Sequence, residues 1–268
     1  MTQSAPEYEG FEDPRSFPDG EALDAYRESL LERTTPQADF LARRLRVPAK
    51  VLELACGNGR LLVELARRSL VERALGVDLA RSRILFAREW AKDEAHEQLT
   101  FEVADVLRFE LPPHAFSAAL CITGAFGYFE PLESGAAERV ARALHSTLAE
   151  DGFLCLELYP RLDARNLLGA TGGEARVWTE LPPSDPWRFY LSRLLVDASG
   201  QILTHEKTFI HRTSGEVDSG RLERLYLYTP EGIESLLLQV GFRSVEIFEG
   251  WSETPYSGGE QMVVTAFR

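Results

Sequence analysis

Cysteine is scarce: Cys56, Cys121 and Cys155 are the only three in 268 residues, and no two lie close together. That spacing excludes a disulfide scaffold and a zinc ribbon. No run approaches the ~20 apolar residues that span a bilayer. The opening stretch, MTQSAPEYEGFEDPR, is acidic and has no apolar core, unlike a secretory leader. A cytoplasmic chain is the expectation. Basic residues are also in the minority, 29 Lys and Arg against 42 Asp and Glu, a net charge of −13. Such a balance repels phosphate backbones, so no nucleic acid and no membrane is expected as a partner, whereas small neutral or cationic ligands are tolerated. The rest is 44% hydrophobic, 10% aromatic and 26% charged, an ordinary globular composition.

Residues 1–20 hold three prolines and several charges and read as a loose arm. From Glu21 to Leu45 the apolar residues follow a helical spacing. Pro36 is expected to split this stretch into two helices, with Thr35 as an N-cap. Short apolar runs then alternate with helical stretches. The runs are Val51–Leu54, Ala74–Leu79, Thr100–Val103, Phe116–Ile122 and Gly152–Leu158; the helices are Leu61–Ala66, Ser82–Trp90 and Ala136–Leu148. Strands without polar alternation, separated by helices, predict an α/β fold with a doubly wound, mostly parallel sheet. Between Tyr159 and Tyr228, turn signals separate β-rich runs, which predicts an antiparallel insertion. A helix from Pro230 to Val240, stopped by Gly241, and two strands, Val245–Phe248 and Met262–Phe267, return to the core. The expected organisation is an arm over 1–45, a core over 46–158, a β-rich cap over 159–228 and a return to the sheet over 229–268.

Chemistry concentrates at the strand ends. Val51–Leu54 feeds ACGNGR, a glycine turn opening a helix. Gly57 and Gly59 let a ligand approach the backbone, and ligands of doubly wound sheets sit outside the strands' carboxyl ends. A dinucleotide site needs a third glycine, at the position of Leu62, which disfavours a nicotinamide cofactor. Asp78, 19 residues beyond Gly59, ends the second strand and suits either ribose hydroxyls or a helix N-cap. Asp105 ends the third strand, where it can accept an adenine amine or serve as a surface cap. Glu53 can approach a ligand amino group. Phe126 and Phe129 read either as cation-facing rings or as core anchors. His205 and His211 share one strand face and read as solvated. No histidine falls at a strand end, and no cluster of metal ligands is apparent, so no metal is expected.

These segments resemble the class I S-adenosylmethionine-dependent methyltransferases. ELACGNGR is similar to their first motif, GVDLARSRILFAR to the second and FEVADVLRF to the third; CITGAFGYFEP, DGFLCLELYP and RLYLYTPEGIESLLLQVGF resemble a bacterial branch that modifies small molecules, including sugar and amine N-methyltransferases. The resemblance implies a Rossmann-like sheet with S-adenosyl-L-methionine as cofactor. It implies that Glu53, Ala55, Gly57 and Arg60 surround the methionine part, that Asp78 and Leu79 serve the ribose, and that Asp105 and Val106 serve the adenine. Cys121 and Ile122 would supply backbone near the sulfonium, and Tyr26 and Arg33 would approach from the N-terminal helix. Tyr128 and Glu157 are the candidate catalytic residues. Ser117 stands where the family often has aspartate, a structural position. The expected reaction is metal-independent methyl transfer to a small molecule, with nitrogen favoured over oxygen as acceptor. The alternatives are an O-methyltransferase and a catalytically silent cofactor-binding module. A homodimer is compatible with the sequence.

Overall fold

The computed structural model describes residues 12–161, 174–183 and 185–268. A seven-stranded sheet runs in the order β10-β11-β5-β4-β1-β2-β3. Its strands are β1 (Ala49–Leu54), β2 (Val71–Asp78), β3 (Leu99–Val103), β4 (Phe116–Cys121), β5 (Leu148–Leu158), β10 (Ser244–Glu249) and β11 (Met262–Phe267). β1 to β5 are mutually parallel, and β11 is antiparallel to both β5 and β10. The strand order reverses between β1 and β4, which makes their carboxyl ends the expected ligand crevice. Ser117 bridges these two strands: its Oγ accepts from the Lys50 amide (3.0 Å) and donates to the Lys50 carbonyl (3.1 Å).

Helices cover both faces. On one side lie α1 (Gly20–Ala42), α2 (Arg60–Arg67) and α3 (Arg81–Asp93), with Phe40, Leu61, Ile84, Phe86 and Trp90 in the core. On the other lie the short α4 (Phe129–Leu132), α5 (Ala136–Thr147) and α6 (Pro230–Val240), packed through Val140, Leu144, Ile233 and Leu237. α6 has the local signals that the sequence suggests: Thr229 Oγ1 accepts from the Gly232 amide (3.0 Å), and Gly241 ends it at φ +117°.

Helix α1 corrects an expectation. It is one continuous helix with Pro36 inside it. Proline removes one helical hydrogen bond, but the same helix buries Leu30, Leu31, Ala38, Phe40 and Leu41, and tertiary burial overrides the local break. Thr34 and Thr35 turn their hydroxyls back to the Leu30 and Leu31 carbonyls (2.7 and 3.2 Å) instead of capping a second helix. The arm is also less loose than expected. Pro14–Ser16 form a turn of 3-10 helix, and Phe17 packs on Tyr26 and Phe86 at centroid distances of 5.1 and 6.2 Å.

The insertion is a separate four-stranded antiparallel sheet in the order β6-β7-β8-β9: Glu174–Glu180, Trp187–Val196, Ile202–His211 and Val217–Tyr226. Strand β9 lies against the turn that follows β4. A Cβ on Gly127 would stand 3.0 Å from the Tyr226 carbonyl, and one on Gly124 would stand 3.5 Å from the Leu225 side chain. The expected insertion is therefore a cap over the sheet's carboxyl edge, with residues 162–173 of it outside the described residues. No helix among the described residues is long and apolar enough to cross a membrane.

Candidate functional site

A cavity of ≈ 1110 Å³ opens at the carboxyl ends of β1, β2, β3 and β4 and is roofed by the cap. Its floor begins at the turn after β1. Ala55, Gly57 and Gly59 have φ of +54°, +56° and +75°. This left-handed backbone keeps the turn open toward the cavity. A Cβ at Gly57 would meet the Arg83 guanidinium at 2.8 Å, and one at Gly59 would meet Phe101 and Ala87 at 2.7 and 2.8 Å. The two glycines thus have different duties: Gly57 leaves room on the ligand side, and Gly59 lets α2 pack against its neighbours.

Asp78 organises this turn. Its Oδ2 accepts from the Gly57 amide (2.9 Å) and its Oδ1 from the Ala80 amide (2.8 Å). The N-cap of α3 is Ala80, so Asp78 is not the capping residue, and it lines the cavity with Leu79. Asp105 and Val106 line the wall beyond β3. Asp105 accepts from the Leu107 amide (3.0 Å) and pairs with Arg108.

Glu53 is the electrostatic focus. It is 2% exposed, lines the cavity, and its Oε2 has no hydrogen-bond partner. Burial pushes its pKa up to about 8, with Asp78 adding to the rise and Arg60 and Arg83 opposing it. A buried carboxylate oxygen without a donor is costly. A cationic ligand group would remove that cost, which fits the ammonium of a bound methionine moiety. Arg60 lines the same region, but its guanidinium is anchored to α1 through Thr34 Oγ1 (2.6 Å) and Gln37 Oε1 (2.5 Å).

The arm reaches this floor through an unforeseen residue. Buried Glu12 accepts from Tyr26 Oη (2.7 Å), Asn58 Nδ2 (2.6 Å) and Arg83 Nε (2.6 Å). Burial raises its pKa, but Arg83, Tyr26 and Asn58 outweigh that and hold it below the ordinary value. Tyr26 and Arg33 line the cavity.

Two expected site residues stand elsewhere. Cys121 is fully buried in the core and absent from the cavity wall, which β4 reaches only at Ile122 and Thr123. The strand's alternation turns Cys121 inward. Glu157 also stays out of the wall. Its Oε2 accepts from the Thr123 amide (2.8 Å) and Gln37 Nε2 (3.3 Å), while Oε1 accepts from Gln261. It braces the β4 turn, where Thr123 has φ +58°, instead of facing a substrate. Tyr128 does line the cavity. Phe126 is a core ring, whereas Phe129 packs edge-on against it and borders the cavity.

The cap contributes residues that the sequence did not single out: Asp185, Trp187, Tyr190, Phe209, Arg221 and Glu223. Tyr190 and Phe209 are stacked at 4.8 Å, and Trp187 lies 5.7 Å from Phe209. His205 is not a solvated residue. Its Nε2 lies 2.7 Å from both Tyr190 Oη and Ser192 Oγ, and its Nδ1 faces Glu223 Oε2 at 3.6 Å. Alternating apolar and polar positions on β7 to β9 could have flagged a polar inner face, but which partners meet depends on register.

Comparison with known proteins agrees with this layout. Residues 51–152 match the family model described as a methyltransferase domain. No curated protein matches the chain at the sequence level. Among solved structures, an S-adenosylmethionine-dependent methyltransferase from Clostridium acetobutylicum is similar with a TM-score of 0.71 at 16% identity, covering 87% of this chain and 91% of that one. The CcbJ methyltransferase from Streptomyces caelestis is similar with a TM-score of 0.69 at 19% identity, covering 88% of each chain. CalS10, an amino pentose methyltransferase from Micromonospora echinaspora solved with S-adenosylmethionine bound, has a TM-score of 0.64 at 20% identity, covering 91% of this chain and 95% of that one. At such identities the solved structures speak for the fold, and the domain match speaks for residues 51–152. A glycine turn, strand-end acids and a Glu53 carboxyl with Oε2 unpartnered thus surround one crevice, within a stretch that matches a methyltransferase domain and in a fold similar to that of S-adenosylmethionine-dependent methyltransferases.

Proposed function

We propose that the chain methylates a nitrogen of a small-molecule acceptor held under the four-stranded cap. The sulfonium of the cofactor supplies an activated methyl group, so no covalent enzyme nucleophile is needed. The chain's own work is to seat the cofactor on Glu53, Gly57 and Asp78, to hold the acceptor in line, and to keep water out. Orientation of this kind is worth effective molarities of about 10⁵–10⁸ M.

The observation that carries the nitrogen reading is Asp185. Its carboxyl lines the cavity beside Trp187, Tyr190 and Phe209 and accepts from the Trp187 amide (2.8 Å). Burial pushes its pKa up to about 6. A buried acid that is still mostly ionised at pH 7, set against aromatic faces, favours an incoming ammonium over a neutral hydroxyl. The net charge of −13 steers in the same direction. CalS10, named as an amino pentose methyltransferase, accords with an amine acceptor.

The test is a mass-spectrometric screen of amines, amino sugars, sugars and phenols with S-adenosylmethionine. Methylated amines are the expected products. Turnover confined to hydroxyl acceptors would overturn the nitrogen reading. A chain that S-adenosylhomocysteine stabilises in a thermal-shift assay but that turns over no acceptor would be the silent cofactor-binding module instead; at 100 times the dissociation constant a ligand stabilises by about 2.7 kcal/mol.

A further inference from the structure

The cap carries a polar chain that the cofactor site does not use. Register places Tyr190 and Ser192 of β7, His205 and Lys207 of β8, and Glu223 and Arg221 of β9 on one face of the sheet. Tyr190 and Glu223 line the cavity. His205 sits behind them with Nε2 2.7 Å from Tyr190 Oη and Nδ1 turned to Glu223 Oε2 at 3.6 Å. Glu223, 3% exposed, is held in turn by an ion pair to Lys207, which is 7% exposed. The series is hydroxyl, imidazole, carboxylate, ammonium. Glu223 is two residues from Leu225, whose side chain covers Gly124 in the turn beyond β4, the same turn that ends in Tyr128.

We infer that Tyr190, His205 and Glu223 form a proton relay for the methyl acceptor, an inference that rests on the proposed amine reading. Glu223 facing Nδ1 sets the tautomer in which Nδ1 carries the hydrogen and the Nε2 lone pair faces the Tyr190 hydroxyl, with the Ser192 hydroxyl at the same distance. An acceptor arriving as an ammonium gives its proton to Tyr190 Oη while the Tyr190 proton moves to His205 Nε2. The resulting imidazolium is stabilised by Glu223. The freed amine lone pair then forms the new nitrogen–carbon bond; the carbon–sulfur bond breaks and its electron pair stays on sulfur. The proton later returns to solvent from His205. Lys207 prevents Glu223 from taking that proton outright, since an ammonium against a carboxylate favours its ionised form. The titratable and charged groups facing this relay are Tyr190 from β7, Glu223 and Arg221 from β9, Lys207 from the same strand as His205, and Tyr159 from the end of β5, whose pKa is raised by burial and then by Glu157 and Glu223.

Tyr190 is the member that meets the acceptor, and His205 acts through it. Two measurements test the relay. The first is nitrogen-15 NMR of histidine-labelled protein saturated with S-adenosylhomocysteine. His205 is expected in the Nδ1–H form at neutral pH, and Tyr190→Phe is expected to move its Nε2 resonance. A His205 ring that carries hydrogen on Nε2 overturns the relay, because no lone pair then faces Tyr190. The second takes the best amine from the acceptor screen. His205→Gln and Tyr190→Phe should each lower kcat by about 10²-fold, the usual scale of acid–base assistance. KM should move less than threefold, the affinity for S-adenosylhomocysteine should hold, and the acid limb of the kcat profile should disappear. A loss confined to KM, or a kcat within threefold of the parent, overturns it. If no amine turns over, the nitrogen reading fails by itself, and the NMR result still decides the relay.

Discussion

Replacing Glu53 with glutamine isolates what the cofactor's amino-acid end needs from the protein. Without ligand, Glu53 is buried with an unpartnered Oε2, and burial pushes its pKa up to about 8. At pH 7 a group with a pKa of about 8 is about nine-tenths protonated. When an ammonium docks beside it, the ionised form is favoured and the proton leaves. Binding of S-adenosylhomocysteine at pH 7 should therefore release close to one proton, read by calorimetry in buffers of different ionisation enthalpy. Glu53→Gln should release none. It should also bind at least tenfold more weakly, since a hydrogen bond to a charged group contributes about 1.5–3 kcal/mol. The sign for stability follows from the same shift. The folded chain keeps a proton that the unfolded chain has lost, so the unliganded fold loses stability as pH rises from the ordinary 4.5 to about 8. The full swing is about 3–5 kcal/mol, and urea titrations of the Gln variant should lack it. Release of less than about a quarter of a proton at pH 7 would refute the argument, because Glu53 would then already be ionised in the empty site.

Asp78→Ala should cost at least tenfold in S-adenosylhomocysteine affinity while the fold survives; unchanged affinity by calorimetry would limit Asp78 to holding the Gly57 and Ala80 amides. Glu12→Ala removes the acceptor that Tyr26 Oη, Asn58 Nδ2 and Arg83 Nε share and should lower stability by about 1–3 kcal/mol. Deletion of residues 1–18, which also removes Phe17, should lower both the melting temperature and cofactor affinity; if neither moved, the arm would have no part in the site. Trp90, fully buried and set edge-on to Phe86 at 5.7 Å, should cost about 3–5 kcal/mol as Trp90→Ala, with no specific loss of ligand contacts by NMR.

Much of the cofactor half was legible because its signals are local. Strand, turn and helix follow one another within a few residues around Gly57, and Asp78 and Asp105 sit where their own strands end. Glu157 shows the limit of that logic. It lies at a strand end like the others, but β5 borders β4 and β11, so its carboxylate is consumed by Thr123, Gln37 and Gln261. Pro36 shows another, since a local helix breaker yielded to the burial of residues on both sides of it.

The sequence alone determined the alternation of strands and helices, the glycine turn and the acids at the ends of β1, β2 and β3, because hydrophobic period and turn chemistry act over short stretches. Only the tertiary structure decided the roof of the cavity. Glu12 meets Arg83 across 71 positions, and Tyr190 meets His205 across 15. The first pair needs the arm docked on α3, the second depends on strand register, and a shift of one residue would send His205 to the opposite face of the cap. Register is settled by which side chains pack together in the finished fold, and no local pattern in the chain encodes it.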